Sequence, residues 1–275
     1  MGMILICLIG MLALASGCGD DGGDGVEVVA TTAVAADLAR MVAGPGVAVE
    51  TLVPESASPH DFAMSAKERA RLERADVVVA WGAGLEAGLE LDDADPVELA
   101  AGEDDPHVWM DPRHVAAVLP RLGEALADAD PAHAAGHRQR ARAGARELRR
   151  LDHDLAEILA AVPPARRKLV TSHDSLGHFA RRYDFEFVGA PFGIAPESQP
   201  SAETVADLIE RIERERVPAV FAEDTDDPEL MEEIARAAGV EIVDDLLIEG
   251  FGGRVESYEA MLRHDARRIA EALAP

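Results

Sequence analysis

Short runs of β-branched and apolar residues alternate with amphipathic stretches along most of the chain. From Val26 the order is VEVVA, the helical stretch AVAADLARMVA, VAVETLVP, a helix start at Ser65 with Glu68 three positions later, and DVVVAW. Strands that alternate with helices in this way are typical of parallel α/β units, because parallel strands need a long crossover connection. The pattern therefore predicts a first α/β lobe over residues 26–131.

The middle of the chain has a different pattern. Residues 113–161 contain no run of β-forming residues, and AHAAGHRQRARAGARELRRLDHDLAEILAAV is predicted to be one long helix ended by Pro163 and Pro164. Strand-like runs such as KLVTS, DFEFVGA, PAVFAE and VEIVD then alternate with helices to the end. We therefore expect an α/β fold with a linking helix over residues 132–162 and a second parallel-sheet lobe over residues 163–275. A ligand of such a protein is expected in the cleft between the lobes.

The N-terminal segment is typical of an export signal. MGMILICLIGMLALASGC is apolar, ends on small residues and is followed by the tract GDDGGDG. LASGC resembles a bacterial lipobox, which predicts a signal peptide over residues 1–17, lipidation of Cys18 and a flexible tether over residues 18–25. This places the mature protein outside the cytoplasm, anchored to the membrane by lipid. Because Cys7 lies in the removed segment, we expect neither a disulfide nor a cysteine-ligated metal in the mature chain.

The charge of the chain argues against one class of partner. The 275 residues include 52 acidic and 26 basic side chains, a formal net charge of −26. Such a surface repels phosphate backbones, so nucleic acid is not an expected partner. The chain is otherwise of ordinary globular composition, and we expect it to be a monomer.

Four side chains with metal-binding chemistry follow predicted strands or extended segments. They are His60 in SPHDF, His107 in DDPHVWMDPRH, His173 in LVTSHDSLGHF and Asp245 in EIVDDLL, two from each half of the chain. A single histidine after a strand is more often a solvated or hydrogen-bonded residue than a ligand. Parallel sheets, however, place functional groups just beyond the carboxyl ends of their strands. Three imidazoles and one carboxylate form a tetrahedral set that suits zinc.

These stretches resemble a known family, the periplasmic or surface lipoproteins that deliver zinc or manganese to ABC importers. The resemblance runs from about Val26 to the C-terminus. It rests on six segments in the same order, namely PHDF with RLERADVVVAWGAGLE, DPHVWMDP, TSHDSLGHFARRYDF, PESQPSAETVADLIERI, VFAED and SYEAMLRHD. It implies two α/β lobes joined by a long helix, a metal ion held by two ligands from each lobe, and an ABC permease with its ATPase as partners. It does not imply enzymatic activity.

Carried over by position, the resemblance assigns ligand roles to His60, His107 and His173. His173 stands where manganese-type members have Glu, which favours zinc over manganese. Asp245 is the expected fourth ligand, because DDLL aligns with the family's last ligand segment. Asp244 and Glu223 are the alternatives, either as the ligand or as support for the site.

The other polar residues near these positions carry weaker expectations. Four acids are candidates to fix imidazole tautomers, although each is equally well explained as a solvated acid: Asp61, Asp105, Asp111 and Asp174. His133 and His137, one helical turn apart, are expected to be an exposed pair on a polar face. The remaining histidines are expected to be structural: His114, His153, His178 and His264.

Two other functions remain open on the sequence. A secreted zinc hydrolase would need three protein ligands, an open position for water and a base such as Glu223. Four candidate ligands leave no open position, and the sequence has no His-Glu-x-x-His motif. A metal-binding surface adhesin on the same fold is the third possibility. The leading hypothesis is a lipoprotein that captures zinc and delivers it to a permease.

Overall fold

The structure, a computed structural model, describes residues 25–55, 57–194, 199–223 and 228–275. The predicted signal peptide, Cys18 and nearly all of the predicted tether lie outside the described residues. Among the helices of the described part, none combines the length and the apolar character needed to cross a membrane.

The first lobe is built on a four-stranded parallel sheet. Its strands are hydrogen-bonded in the order β2-β1-β3-β4, and their bounds are β1 (Glu27–Ala30), β2 (Ala48–Thr51), β3 (Val77–Ala80) and β4 (Val97–Glu98). Helices α1 (Ala33–Ala43) and α2 (Ala66–Leu72) connect the first three strands. All of β3 is buried, as expected for an inner strand of a parallel sheet.

Helix α2 begins at the position that the sequence predicts. At the start of α2, the backbone N–H of Ser65 donates to the Glu68 carboxylate at 2.6 Å and the Ser65 hydroxyl accepts from the Glu68 N–H. This is the capping box that the sequence indicates. It satisfies backbone donors that the first turn of a helix leaves without an intrahelical partner.

Two long helices follow the first sheet. They are α3 (Pro112–Ala129) and α4 (Ala134–Leu159), and α4 lies within the predicted link. The helices approach closely at Gly123, where a Cβ atom would lie 2.6 Å from that of Ala141. A glycine at this position therefore lets α3 and α4 pack together.

The second lobe contains two pairs of parallel strands. They are β5 (Lys168–Val170) with β6 (Glu186–Gly189), and β7 (Ala219–Glu223) with β8 (Glu241–Leu246), and β5 packs beside β7. Its helices are α5 (Gly177–Tyr183), α6 (Ala202–Glu215), α7 (Glu229–Ala238) and α8 (Tyr258–Leu273). The predicted α/β fold with parallel strands in both halves is confirmed.

One apolar core runs through both halves of the molecule. It includes Trp81 from the first lobe, Leu148 of α4, Phe221 of β7 and Met261 of α8, all of which are fully buried. Helices α4 and α8 also contact each other directly. The two lobes are therefore joined by packed side chains as well as by the connecting chain, which fixes the position of one lobe against the other.

Candidate metal centre

Four side chains that could hold a metal ion, from four separate segments, meet between the lobes. One ligand atom from each of His60, His107, His173 and Glu249 lies within 4.8 Å of the others. In the first lobe His60 follows β2 and His107 begins a 3-10 turn, whereas in the second lobe His173 follows β5 and Glu249 follows β8. The structure thus brings together the three histidines that the sequence predicts, with a different carboxylate.

Two distances between the ligand atoms are close to those expected in a tetrahedral metal site. The Nε2 atoms of His107 and His173 are 3.1 Å apart, and Nε2 of His60 lies 3.4 Å from Oε1 of Glu249. A zinc ion with bonds of about 2.0–2.1 Å would hold its ligands about 3.3 Å apart in tetrahedral geometry. Among the described residues, Nε2 of His60 has no hydrogen-bonding partner although it is buried. A bound cation would satisfy that atom.

Burial keeps the histidines in the form that binds metal. The side chain of His60 is 4% exposed, and His107 is completely buried. Burial, with repulsion from His107 and His173, lowers the pKa of His60 to about 3. Burial also lowers the pKa of His107, and this effect outweighs the opposing influence of Asp105. Both imidazoles are therefore neutral near pH 7, as metal coordination requires.

Two carboxylates lie behind the imidazoles. Asp105 Oδ1 lies 2.8 Å from Nδ1 of His107 and also accepts the backbone N–H of His107 at 3.0 Å. Glu223 Oε1 lies 3.0 Å from Nδ1 of His173 and accepts from the Ser175 hydroxyl at 2.8 Å. A carboxylate at Nδ1 favours the tautomer with its proton there, which leaves Nε2 free to bind metal. Glu223 therefore lies in a supporting position, one of the two alternatives that the sequence left open.

Asp245, the fourth residue expected from the sequence, is not part of this group in the structure. Its carboxylate accepts from Nε of Arg268 at 2.7 Å and its side chain is 46% exposed. Asp244 is also exposed. The physical reason is that Asp245 lies within β8 and is held by Arg268 of α8, whereas Glu249 lies three residues beyond the end of the strand at Leu246, where the chain reaches the histidines.

The four acids that the sequence offered as partners of the imidazoles have different environments. Asp105 lies beside Nδ1 of His107, as expected of a carboxylate that fixes the tautomer of an imidazole. Asp111 instead accepts the backbone N–H of Arg113 at 2.8 Å and caps α3, and Asp61 is exposed. Asp174 is half-buried, and burial followed by the charge of Asp105 raises its pKa. Of the four candidates, only Asp105 contacts a site histidine directly.

One histidine differs from what the sequence suggested, and another has a contact that the sequence did not indicate. His178, expected to be structural, lies outside the group of four, and its Nε2 is 3.4 Å from Oδ2 of Asp105, the acid behind His107. His137 was expected to be exposed beside His133, but it is buried, with Nε2 3.0 Å from Oδ2 of Asp130. Helical spacing alone shows that residues share a face, and it does not show what packs on that face.

Comparison with known proteins identifies the family of the chain. Residues 28–272 match the family model ZnuA, described as zinc-uptake complex component A, periplasmic. The iron-binding protein YfeA of Yersinia pestis is 26% identical over 285 residues, which cover 96% of this chain and 91% of that protein. The manganese-binding lipoprotein MntA of Bacillus subtilis is 28% identical over 306 residues, covering 99% of both.

A solved structure shows the same fold. The periplasmic zinc-binding protein TroA from Treponema pallidum superposes with a TM-score of 0.83 at 26% identity, covering 91% of this chain and 100% of that one. The names of these similar proteins include iron, manganese and zinc, so they agree on metal binding and differ on the metal. The chain belongs to the ZnuA family and is a metal-binding substrate-binding protein of an ABC transporter, not an enzyme.

Proposed function

We propose that the protein captures zinc outside the cytoplasmic membrane and delivers it to an ABC permease and its ATPase. In this proposal the ion is bound by Nε2 of each histidine and by the carboxylate of Glu249, two ligands from each lobe. The observation that carries the proposal is the buried group of four ligand atoms, all within 4.8 Å of one another.

The donor set supports zinc over manganese. Three imidazole nitrogens and one carboxylate oxygen are common zinc ligands, whereas manganese prefers sites richer in oxygen. His173 is the residue on which this preference depends, because the resemblance places a Glu there in manganese-type members. Divalent zinc also binds such ligands more tightly than manganese in the Irving–Williams order.

Competition between the two metals tests the proposed specificity. The wild-type protein is expected to bind about one zinc per chain and to prefer zinc to manganese in a chelator-competition titration. The variant His173→Glu should lose part of this preference, because it replaces a nitrogen donor with an oxygen donor. His133→Glu makes the same change at a side chain that is 75% exposed and should behave like wild type. Tighter binding of manganese than of zinc by wild type would contradict the proposal.

The anchor at Cys18 is a separate part of the proposal. We infer from LASGC that Cys18 carries lipid and keeps the protein at the outer face of the membrane, where its permease lies. Cys18→Ser should move the protein from the membrane to the soluble extracytoplasmic fraction and abolish labelling by a radioactive fatty acid. Cys7→Ser provides the control, because that residue would be removed with the signal. Unchanged fractionation and labelling of Cys18→Ser would refute the anchor.

A further inference from the structure

Trp109 connects the two lobes next to the metal centre. It follows His107 by two positions in the 3-10 turn of the first lobe, and it is 1% exposed. Its indole N–H donates to the carbonyl oxygen of Ile248 at 2.8 Å. Ile248 precedes Glu249 in the second lobe, so this bond joins the segment that carries His107 to the segment that carries the carboxylate.

The position of Trp109 is fixed from several sides. Its ring lies against the ring of His107 with centroids 5.0 Å apart, and against Trp81 with centroids 4.6 Å apart. Its backbone carbonyl accepts the hydroxyl of Tyr258, the first residue of α8. Trp109 therefore makes two hydrogen bonds across the lobe boundary. Its side chain donates one, and its main-chain carbonyl accepts the other. The residue cannot shift without breaking one of them.

The glycine-rich sequence after Glu249 leaves the direction of its backbone open. Glu249 is followed by Gly250, Phe251 and two further glycines, and Gly253 has a φ of 63°. Glycine-rich backbone has many accessible conformations, so it does not by itself fix the direction of the neighbouring carboxylate. The bond from Trp109 holds the main chain at the residue directly before Glu249.

We propose that Trp109 is a positioning residue that holds Glu249 at binding distance from the three histidines. This inference rests on the proposed metal site. Ligand geometry determines affinity, and residues that orient ligands without touching the metal typically contribute about 10–100-fold to metal affinity. Asp105 and Glu223 contact the side chains of histidines. Trp109 instead holds the main chain of the opposite lobe, next to Glu249.

The variant Trp109→Phe removes the indole N–H and keeps an aromatic ring beside His107. We expect it to weaken zinc about tenfold, in line with the loss of a residue that orients a ligand. Tyr183→Phe is the control. It also removes one hydrogen-bond donor from a buried aromatic side chain, since the Tyr183 hydroxyl donates to Asp152 at 3.3 Å, so it should lower thermal stability without a comparable loss of affinity.

A double-mutant cycle separates positioning from a general structural role. If Trp109 acts through Glu249, then Trp109→Phe should weaken zinc strongly in wild type and much less in a Glu249→Gln background. Cobalt provides a spectroscopic readout, because its visible absorption depends on the donors and geometry of the site. The cobalt spectrum of Trp109→Phe should shift toward that of Glu249→Gln, and the spectrum of Tyr183→Phe should match wild type.

Tyr258→Phe is a second variant for the case that Trp109→Phe does not fold. It removes only the hydroxyl that holds the Trp109 carbonyl, and it should weaken zinc in the same direction by a smaller factor. Fully additive effects of Trp109→Phe and Glu249→Gln, or a wild-type cobalt spectrum and affinity in the folded Trp109 or Tyr258 variant, would overturn the positioning role. Zinc binding that is unchanged in Glu249→Gln itself would instead overturn the proposed metal site, so the two failures are distinguishable.

Discussion

The two halves of the metal centre are built differently although each contributes two ligands in our proposal. The first lobe presents two imidazoles, and the second presents one imidazole and the carboxylate of Glu249. In each lobe one imidazole has a carboxylate at Nδ1. Asp105 is two residues from His107 in the same loop, whereas Glu223 ends β7 and meets His173 after β5.

This difference separates local from long-range organisation. The pair of His107 and Asp105 forms within one short segment, so it depends little on the rest of the fold. The pair of His173 and Glu223 forms only when β5 and β7 lie side by side. The second lobe also supplies the only carboxylate of the four-residue group, and hence the charge that offsets a divalent cation. Substitutions in the two lobes are therefore expected to have different consequences.

The largest effects are expected from removal of an imidazole. His107→Ala and His173→Ala should each weaken zinc by more than about 100-fold, which is beyond the range typical for residues that only orient ligands. The losses should be similar in the two lobes, because each variant deletes one nitrogen donor. Chelator-competition titration measures both constants, and a loss confined to one lobe would show that the ion is not shared between them.

The next largest effect is expected at Glu249. Its contrast with Asp245 is the sharpest comparison of zinc affinities within the second lobe. Glu249→Gln should weaken zinc by about 100-fold, because it removes the negative charge next to His60 while conserving shape. Asp245→Asn should leave zinc affinity at the wild-type value, because Asp245 contacts Arg268 at the surface. The same titration decides between them. Weak binding by Asp245→Asn together with normal binding by Glu249→Gln would contradict the proposal that Glu249 is the ligand.

The sequence carried enough information for the fold and for three of the four residues in the group. Periodicity predicts the strands and helices, and histidines after strands lie where parallel sheets place functional groups. Alternation along a strand shows which residues share a face, but not where the strand ends. Because β8 runs to Leu246 and a glycine-rich segment follows, the direction of Glu249 could not be read from the pattern.

Long-range contacts were the other part that the sequence could not provide. The bond from Trp109 to Ile248 joins residues 139 positions apart. His178 of the second lobe contacts the main-chain carbonyl of Asp105 in the first. The ring of His137 in α4 lies beside the carbonyl of Val42 in α1. These contacts depend on how complete elements pack, whereas the capping box of Ser65 and Glu68 is local and was predicted.

The two supporting carboxylates test the difference between local and long-range pairs. Glu223→Gln should weaken zinc by about 10–100-fold, since it removes the charge that favours the metal-binding tautomer of His173. Asp105→Asn should cost less, about tenfold, because Asp105 is two residues from His107 and the short segment keeps the amide oxygen beside Nδ1. Chelator competition gives both values, and nuclear magnetic resonance of the imidazole nitrogens reports the tautomers. A larger loss in Asp105→Asn than in Glu223→Gln would reverse the comparison.

The smallest effect is expected from mild acid. Protons compete with zinc only at imidazoles that become protonated, and a lowered pKa moves this competition to lower pH. Burial lowers the pKa of His107, and that of His60 to about 3. Zinc affinity should therefore change little between neutral pH and about pH 6, near the ordinary histidine pKa of about 6.5, and should fall only in stronger acid. Titration calorimetry corrected for buffer ionisation measures the profile, and a steep loss centred near pH 6.5 would contradict the role of burial.

The position of a bound zinc ion shows directly which residues hold it. A crystal of the zinc-loaded protein, measured on both sides of the zinc absorption edge, gives the ion's location independently of the protein coordinates. We expect one anomalous peak among Nε2 of His60, Nε2 of His107, Nε2 of His173 and the carboxylate of Glu249, with bonds of about 2.0–2.2 Å. A peak bound to Asp245, or one that lacks ligands from either lobe, would contradict the account.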